Sequence, residues 1–309
     1  MKRFRKSKSK SFVLAFILAI IFAFSGCISA TPSESSNADS PTNTTNQTDE
    51  NRQTDSLATP KITAPPSQTS ASPEPIVTPE IEAVEETSDP ALPLTGIVIG
   101  IDPGHQDDPN EEKELISPTG TAMKIKVSEG TFGRFTGIFE YVINLQVGMK
   151  LKSRLESLGA TVIMTRETSD IDISNAERAV LMNDIPVDCW IRIHANGNDN
   201  SDVNGLFFLA PSAGTMNTTD PSVQSNSLLL AQTLLPATID ATGAKDRGVI
   251  LRGDQTGFSW SSVPVCTIEM GYMTNEVEDN LLVTSEYQDK IVDGLTAGFL
   301  EYFNQDQNE

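Results

Sequence analysis

The sequence predicts an α/β fold: a single domain whose twisted sheet, mostly parallel or mixed, carries helices on both faces. Three observations predict it. Apolar periodicity is confined to residues 95–309. Within that span, short β-branched runs alternate with segments of helical spacing. The β-branched runs end in turn signals, as buried strands of an open sheet do.

Taken in order, Gly96–Ile101 (GIVIGI) reads as a strand closed by Asp102-Pro103-Gly104. From Ile138 to Leu158, the residues Val142, Leu145, Met149, Leu151, Leu155 and Leu158 follow helical spacing, and Gly159 ends that helix. Ala160–Thr165 (ATVIMT) is a second strand. Ser174 with Glu177 forms a capping-box signature that opens a helix through about Asn183. Strands follow at Asp188–His194 and Gly205–Leu209, then a helix over 222–240, a short strand near Val249, a strand at Pro264–Glu269 and a last helix over Ser285–Phe303. The stretch Gln106–Gly137 is long, polar and broken by glycines, so it predicts a substrate-side loop or hairpin. No internal repeat is present.

The chain ahead of this domain has two parts. Lys2, Arg3, Arg5, Lys6, Lys8 and Lys10 precede an apolar stretch from Phe12 to Phe24, followed by Ser25-Gly26-Cys27. A basic start, a short apolar run and small residues describe a secretory signal over 1–27. Cys27 directly after Gly26 resembles a bacterial lipobox, which implies lipidation of Cys27, although Phe24 is bulkier than the usual Leu. The other readings are free secretion or a signal anchor, the apolar stretch extending to Ala30 at the low end of spanning length. All of them place the domain outside the cytoplasm.

Residues 28–94 are dominated by Ser, Thr, Asn, Pro, Asp and Glu and cannot bury enough surface to offset ordering. This segment predicts a disordered tether with a reach of about 45–50 Å. The formal net charge of the chain is −20. Without the six leader cations, 16 basic residues face 42 acidic ones, a balance of −26. Such a surface repels phosphate backbones and argues against a nucleic-acid partner.

The chemistry turns on a scarcity. The chain has two histidines, His105 and His194, each at or just past the carboxyl end of an expected strand. Open α/β sheets place ligand sites there. A zinc site needs a third protein ligand and an open position for water. Glu140 is one candidate, although a carboxylate in a first helical turn is also what the helix dipole favours. Glu269 ends an apolar strand (VPVCTIE), where a carboxylate is costly unless paired or functional.

Five blocks in order carry a resemblance: IGIDPGHQ (99–106), GIFEYVINLQVGMKLKSRLESLGATVIMTR (137–166), NAERAVLMND (175–184), IRIHANG (191–197) and PVCTIEMGYMTNEVEDNLL (264–282). Together they resemble the catalytic domain of zinc-dependent N-acetylmuramoyl-L-alanine amidases, the type called amidase 3, over nearly all of 95–309. The resemblance implies one Zn²⁺ held by His105, Glu140 and His194, with Glu269 as the catalytic glutamate. It implies peptidoglycan as the substrate; with the leader and Cys27, the expectation is a monomeric enzyme anchored at the outer face of the membrane, with free secretion or a signal anchor as the alternatives. Glu269 would take the proton of a zinc-activated water and pass it to the leaving amine of L-alanine.

Two departures stand out. Arg192 occupies a position that is usually Ser in this family, and it shares a strand face with His194. The short gap from His194 to Gly205 leaves no room for the inhibitory helix of some cell-division relatives, which implies a site open without an activator. Arg166 and Arg178 match family arginines and are read as surface or supporting ion pairs. Asn196 is a candidate for shaping the site, and Trp190 and Phe207 read as core. Cys189 and Cys266 lie opposite in phase to His194 and Glu269, so they read as buried thiols, joined only if their strands are neighbours. An inactive wall-binding lipoprotein and a zinc carboxypeptidase remain as alternative readings.

Overall fold

The computed structural model describes residues 91–306. The expected signal peptide over 1–27, the lipidation of Cys27 and all but the end of the linker over 28–94 lie outside the described residues. Leu94, at the end of that expected linker, is fully buried, and its amide donates to the Leu158 carbonyl at 2.9 Å. Among the described residues, no helix is long and apolar enough to cross a membrane.

The strands β1 (Val98–Pro103), β4 (Thr161–Met164), β5 (Cys189–Asn196), β6 (Leu206–Pro211), β7 (Asp246–Arg252) and β8 (Val265–Tyr272) form one sheet in the order β4-β1-β5-β8-β6-β7. All neighbouring pairs run parallel except β6 with β8. The sheet is therefore mixed. Helices α1 (Glu140–Ser157), α3 (Pro221–Thr242) and α6 (Ser285–Asp306) cover one face, and α2 (Asn175–Asp184) lies on the other with α4 (Thr256–Trp260). The short helix α5 (Glu276–Leu282) precedes α6.

Strand alternation explains the two layers. Cys189, Ile191, Ile193 and Ala195 of β5, with Cys266, Ile268 and Met270 of β8, join the core made with Ile143, Val147, Leu151 and Leu155 of α1 and Leu295 and Phe299 of α6. Trp190 and Val265 point the other way and pack with Phe207, Leu209, Met182 and Phe258. Trp190 and Phe207 are thus core, as expected. β5 and β8 are neighbours, and Cys189 and Cys266 are buried thiols.

Two expectations are corrected. The long helix begins at Glu140 rather than Ile138, because Gly137 and the extended backbone of Phe139 precede its first turn. The last long strand runs on to Tyr272, so Glu269 lies inside β8 rather than at its end. Of the two readings for Arg178 and Arg166, surface or supporting, the supporting one holds: they are 0 % and 2 % exposed, and Arg178 pairs with Asp102. The polar stretch 106–137 contains an antiparallel hairpin, β2 (Asn110–Leu115) with β3 (Met123–Val127). It packs near α2, where Asn175 donates to the Lys126 carbonyl at 2.6 Å.

From β1 the chain passes through α1 to β4 on one side, then returns through α2 to β5 on the other. The strand order thus reverses between β1 and β5, and at the carboxyl ends of such a pair an open α/β sheet leaves a crevice. His105 follows β1 and His194 lies near the end of β5.

Candidate metal centre

The crevice brings three expected residues together. His105 Nε2 lies 3.3 Å from Glu140 Oε1, and His194 Nδ1 lies 3.1 Å from the same oxygen. One ligand atom from each of the three residues falls within 4.8 Å of the others. The two imidazole rings meet edge to face, with centroids 4.9 Å apart. Each histidine side chain keeps 15 % exposure, against 3 % for Glu140, so the cluster is open at one side only.

Backbone and side-chain hydrogen bonds orient these groups. His105 Nδ1 lies 2.8 Å from the Ser128 carbonyl, which fixes its proton there and leaves Nε2 to face the cluster. Glu140 accepts from the amides of Ala195 (3.1 Å) and Thr131 (2.8 Å) and from Asn144 Nδ2 (3.2 Å). His105 itself sits at φ 60°, a left-handed conformation that costs a non-glycine residue about 1–3 kcal/mol. Surrounding bonds hold it: Arg178 donates to the His105 carbonyl at 3.2 Å, and Arg166 and Asn144 donate to the Gly104 carbonyl at 3.0 and 3.1 Å.

Two glycines make room. A Cβ on Gly104 would lie 2.1 Å from His194 Cε1, and one on Gly130 would lie 2.8 Å from Glu140 Oε2 and 2.9 Å from His105 Cγ. The backbone therefore wraps the cluster as closely as it can.

Charge explains the rest. Burial alone would raise the Glu140 pKa, but the two imidazoles outweigh it and hold the carboxyl well below its usual range. Burial pushes the pKa of His194 down to about 4, while for His105 the Glu140 carboxylate outweighs burial and raises it. Two imidazoles and one ionised carboxylate, anchored from behind and partly open in front, are a donor set suited to a divalent ion such as zinc. The donor chemistry and the close glycine cradle both fit.

Glu269 stands next to this cluster. Its Cα pairs in register with that of His194, so the two side chains leave the sheet on the same face. The register slips just beyond them, with Asn196 opposite Tyr272, a bulge of the kind that aims side chains beside active sites. Glu269 is part-exposed. Burial and the nearby Glu140 charge raise its pKa well above the ordinary value, against the pull of Arg192 and Arg252.

Arg192 does not sit on the ligand atoms. Its Nε donates to Asp102 Oδ2 at 2.8 Å and its Nη2 to Asn175 Oδ1 at 2.7 Å. Asp102 also accepts from Arg178 at 2.7 Å and Thr165 at 2.6 Å. Asn196 accepts a bond from the Gly197 amide at 2.7 Å and borders the site without joining the cluster. The sequence reading missed Ser128, Thr131 and Asn144 as supports. Asn144 had a signal, since one turn after Glu140 it must share that helix face.

Fold and cluster together define an α/β domain with a candidate metal centre at the carboxyl edge of its sheet. The profile of the Amidase_3 family, described as N-acetylmuramoyl-L-alanine amidase, matches residues 99–301, and the chain belongs to that family. It is 27 % identical over 211 residues to N-acetylmuramoyl-L-alanine amidase LytC of Bacillus subtilis (strain 168), covering 68 % of this chain and 36 % of that protein. The chain thus spans little more than a third of that relative's length. It is 26 % identical over 234 residues to the germination-specific N-acetylmuramoyl-L-alanine amidase of the same organism, covering 70 % of this chain and 83 % of that one. Among solved structures, the fold resembles the amidase Ami1 from Mycobacterium smegmatis, with a TM-score of 0.61 at 21 % identity, over 69 % of this chain and 99 % of that one. It also resembles an N-acetylmuramoyl-L-alanine amidase from Clostridium difficile 630, with a TM-score of 0.55 at 24 % identity, over 67 % and 97 %.

Proposed function

We propose that this chain hydrolyses the amide bond between N-acetylmuramic acid and L-alanine in peptidoglycan. The observation that carries the reading is the convergence of His105, Glu140 and His194, with the carboxylate of Glu269 in register beside them. His105, Glu140 and His194 hold one Zn²⁺ per domain. When bound, that ion supplies Lewis acidity, polarising the amide carbonyl and lowering the pKa of water towards neutrality. Glu140 supplies the single negative charge of the ligand set, and Ser128 and Asn144 keep the donors aimed. Glu269 removes a proton from the attacking water and returns one to the nitrogen that leaves with L-alanine, a role worth roughly 10²–10⁴-fold.

The reading extends to where the enzyme works. The basic leader, the apolar run and Ser25-Gly26-Cys27 support export and lipidation at Cys27, which anchors the domain to the outer face of the cell membrane. The polar stretch from residue 28 up to the packed Leu94 then serves as the tether that lets a monomeric domain search the wall.

The test is digestion of purified muropeptides by the full chain, with zinc content measured and a chelator arm included. Peptides with a new amino-terminal alanine, formed only without chelator, are expected. Release of a carboxy-terminal amino acid instead would assign a carboxypeptidase, and bound metal without any product would assign a wall-binding module.

A further inference from the structure

A polar cavity of about 520 Å³ is lined by Thr131, Arg134, Gly197, Asn198, Asp199 and Thr274. It adjoins the metal centre through two chain segments. Thr131 donates its amide to Glu140 Oε2 at 2.8 Å, and Gly197 to Asp199 continue the segment that carries His194. The two segments touch, since a Cβ on Gly197 would lie 2.8 Å from Thr131 Oγ1.

Arg134 is the unusual member. Among the seven arginines of the described residues, the other six have their guanidinium groups engaged. Arg154 and Arg252 pair with Asp293 and Asp254, and Arg178 and Arg192 with Asp102. Arg166 and Arg247 donate to backbone carbonyls. No ion pair or side-chain hydrogen bond within the described residues engages Arg134, although the chain carries 42 acidic residues. Asp199 lines the same cavity and forms no ion pair with it.

The backbone beneath Arg134 is fixed. Its amide donates to the Met273 carbonyl at 3.0 Å. The buried carboxylate of Asp279 accepts from the amides of Phe135 (2.7 Å) and Thr136 (3.0 Å) and from Thr136 Oγ1 (2.7 Å). The turn that presents Arg134 is therefore already ordered, and binding has only the arginine side chain itself left to fix.

We propose that this cavity is the subsite for the peptide side of the substrate, and that Arg134 reads a carboxylate there. This rests on the amidase reading, whose substrate continues past the scissile amide as a peptide. A guanidinium next to open solvent recognises a carboxylate by two parallel hydrogen bonds. Asp199 accepts N–H donors of the same peptide and repels a second carboxylate. Arg134 is therefore a specificity-determining residue that leaves the chemistry at Glu269 untouched.

The experiment uses the zinc-loaded full chain, as wild type, Arg134→Gln and Arg134→Lys. Two muramoyl-peptides are compared, one with a free carboxylate on the residue after L-alanine and one with that group as a carboxamide. Wild type is expected to favour the carboxylate by roughly tenfold in kcat/KM, mainly through KM. Arg134→Gln should erase the preference while keeping turnover of the carboxamide, and Arg134→Lys should restore part of it. Calorimetric binding of the two released peptides to the same proteins reads the preference independently of turnover. Equal treatment of the two compounds by wild type, or a preference surviving in Arg134→Gln, overturns the proposal. A wild-type chain that binds with the preference yet cleaves neither compound fails as an amidase while upholding Arg134 as a carboxylate reader.

Discussion

His194 and Glu269 face each other across the parallel β5–β8 pair, one residue a candidate metal ligand and the other a carboxylate with a raised pKa. Their shared register means that the sheet itself, rather than a mobile loop, sets the spacing between the two side chains. Glu269 is absent from the group of ligand atoms that converge around Glu140. Glu269→Gln is therefore expected to bind zinc in the same stoichiometry as wild type and to lose at least about a hundredfold in turnover. Metal analysis beside a muropeptide assay checks both halves, and an active variant would remove Glu269 from the reaction.

Asn144 tests the support behind the ligands. It is fully buried, and its amide group donates both to Glu140 Oε1 and to the Gly104 carbonyl, joining two ligand-bearing segments. Supports of this kind are worth about 10–100-fold in metal affinity. Asn144→Ala should weaken zinc binding by that amount, measured by competition with a chromogenic chelator. Affinity equal to wild type would mean that the backbone amides of Thr131 and Ala195 suffice to hold Glu140.

Most of the sheet and its long helices were legible because burying one face of an element leaves an apolar period that can be read locally in sequence. His105 and His194 were legible through position, at the ends of two β-branched runs. The hairpin β2–β3 was not, since NEEKEL carries charges on both faces, and MKIKV, although it alternates, is only five residues long with no apolar partner strand beside it in sequence. Helix α4 is a single turn without a period, and α5 announced itself only by Asn275, whose side chain accepts from the amides of Val277 and Glu278. The burial of Arg178 was illegible for a different reason. Its partner Asp102 lies 76 residues away, and nothing local distinguishes a buried guanidinium from an exposed one. Arg192 stands out in the sequence as a departure, but its tie to Asp102 depends on the β1–β5 pairing, which only the folded sheet supplies.

Gly130 should tolerate no side chain. Its φ is +86°, and an added Cβ would press on Glu140 Oε2 and the His105 ring. Both segments are pinned by hydrogen bonds, so neither ligand can retreat without losing one. Gly130→Ala is expected to fold yet to bind zinc at least about tenfold more weakly, by the logic that governs support residues. Chelator competition checks the affinity, and circular dichroism checks that the fold persists. Unchanged affinity would show that the loop yields instead.

The buried triad of Asp102, Arg178 and Arg192 makes a prediction about stability and pH. Asp102 is fully buried, and the two guanidinium side chains are only 1 % and 3 % exposed. Burial alone would raise the Asp102 pKa, but the two cations and the Thr165 hydroxyl hold it far below the usual carboxylate range. Replacing it by Asn strands two buried cations on a neutral partner, which should cost about 3–5 kcal/mol in urea or thermal unfolding. The sign of the pH effect follows from the depressed pKa. Above the unfolded value of about 3.9 the carboxylate is ionised in both states, and its full contribution is present. As pH falls below that value, the unfolded chain takes up a proton that the folded chain refuses, and the contribution shrinks. The stability gap between wild type and Asp102→Asn should therefore stay constant from about pH 8 to pH 5 and narrow below about pH 4. A gap that instead widened on acidification would mean that Asp102 is protonated in the folded protein, and that Arg178 and Arg192 are held by their carbonyl and amide partners alone.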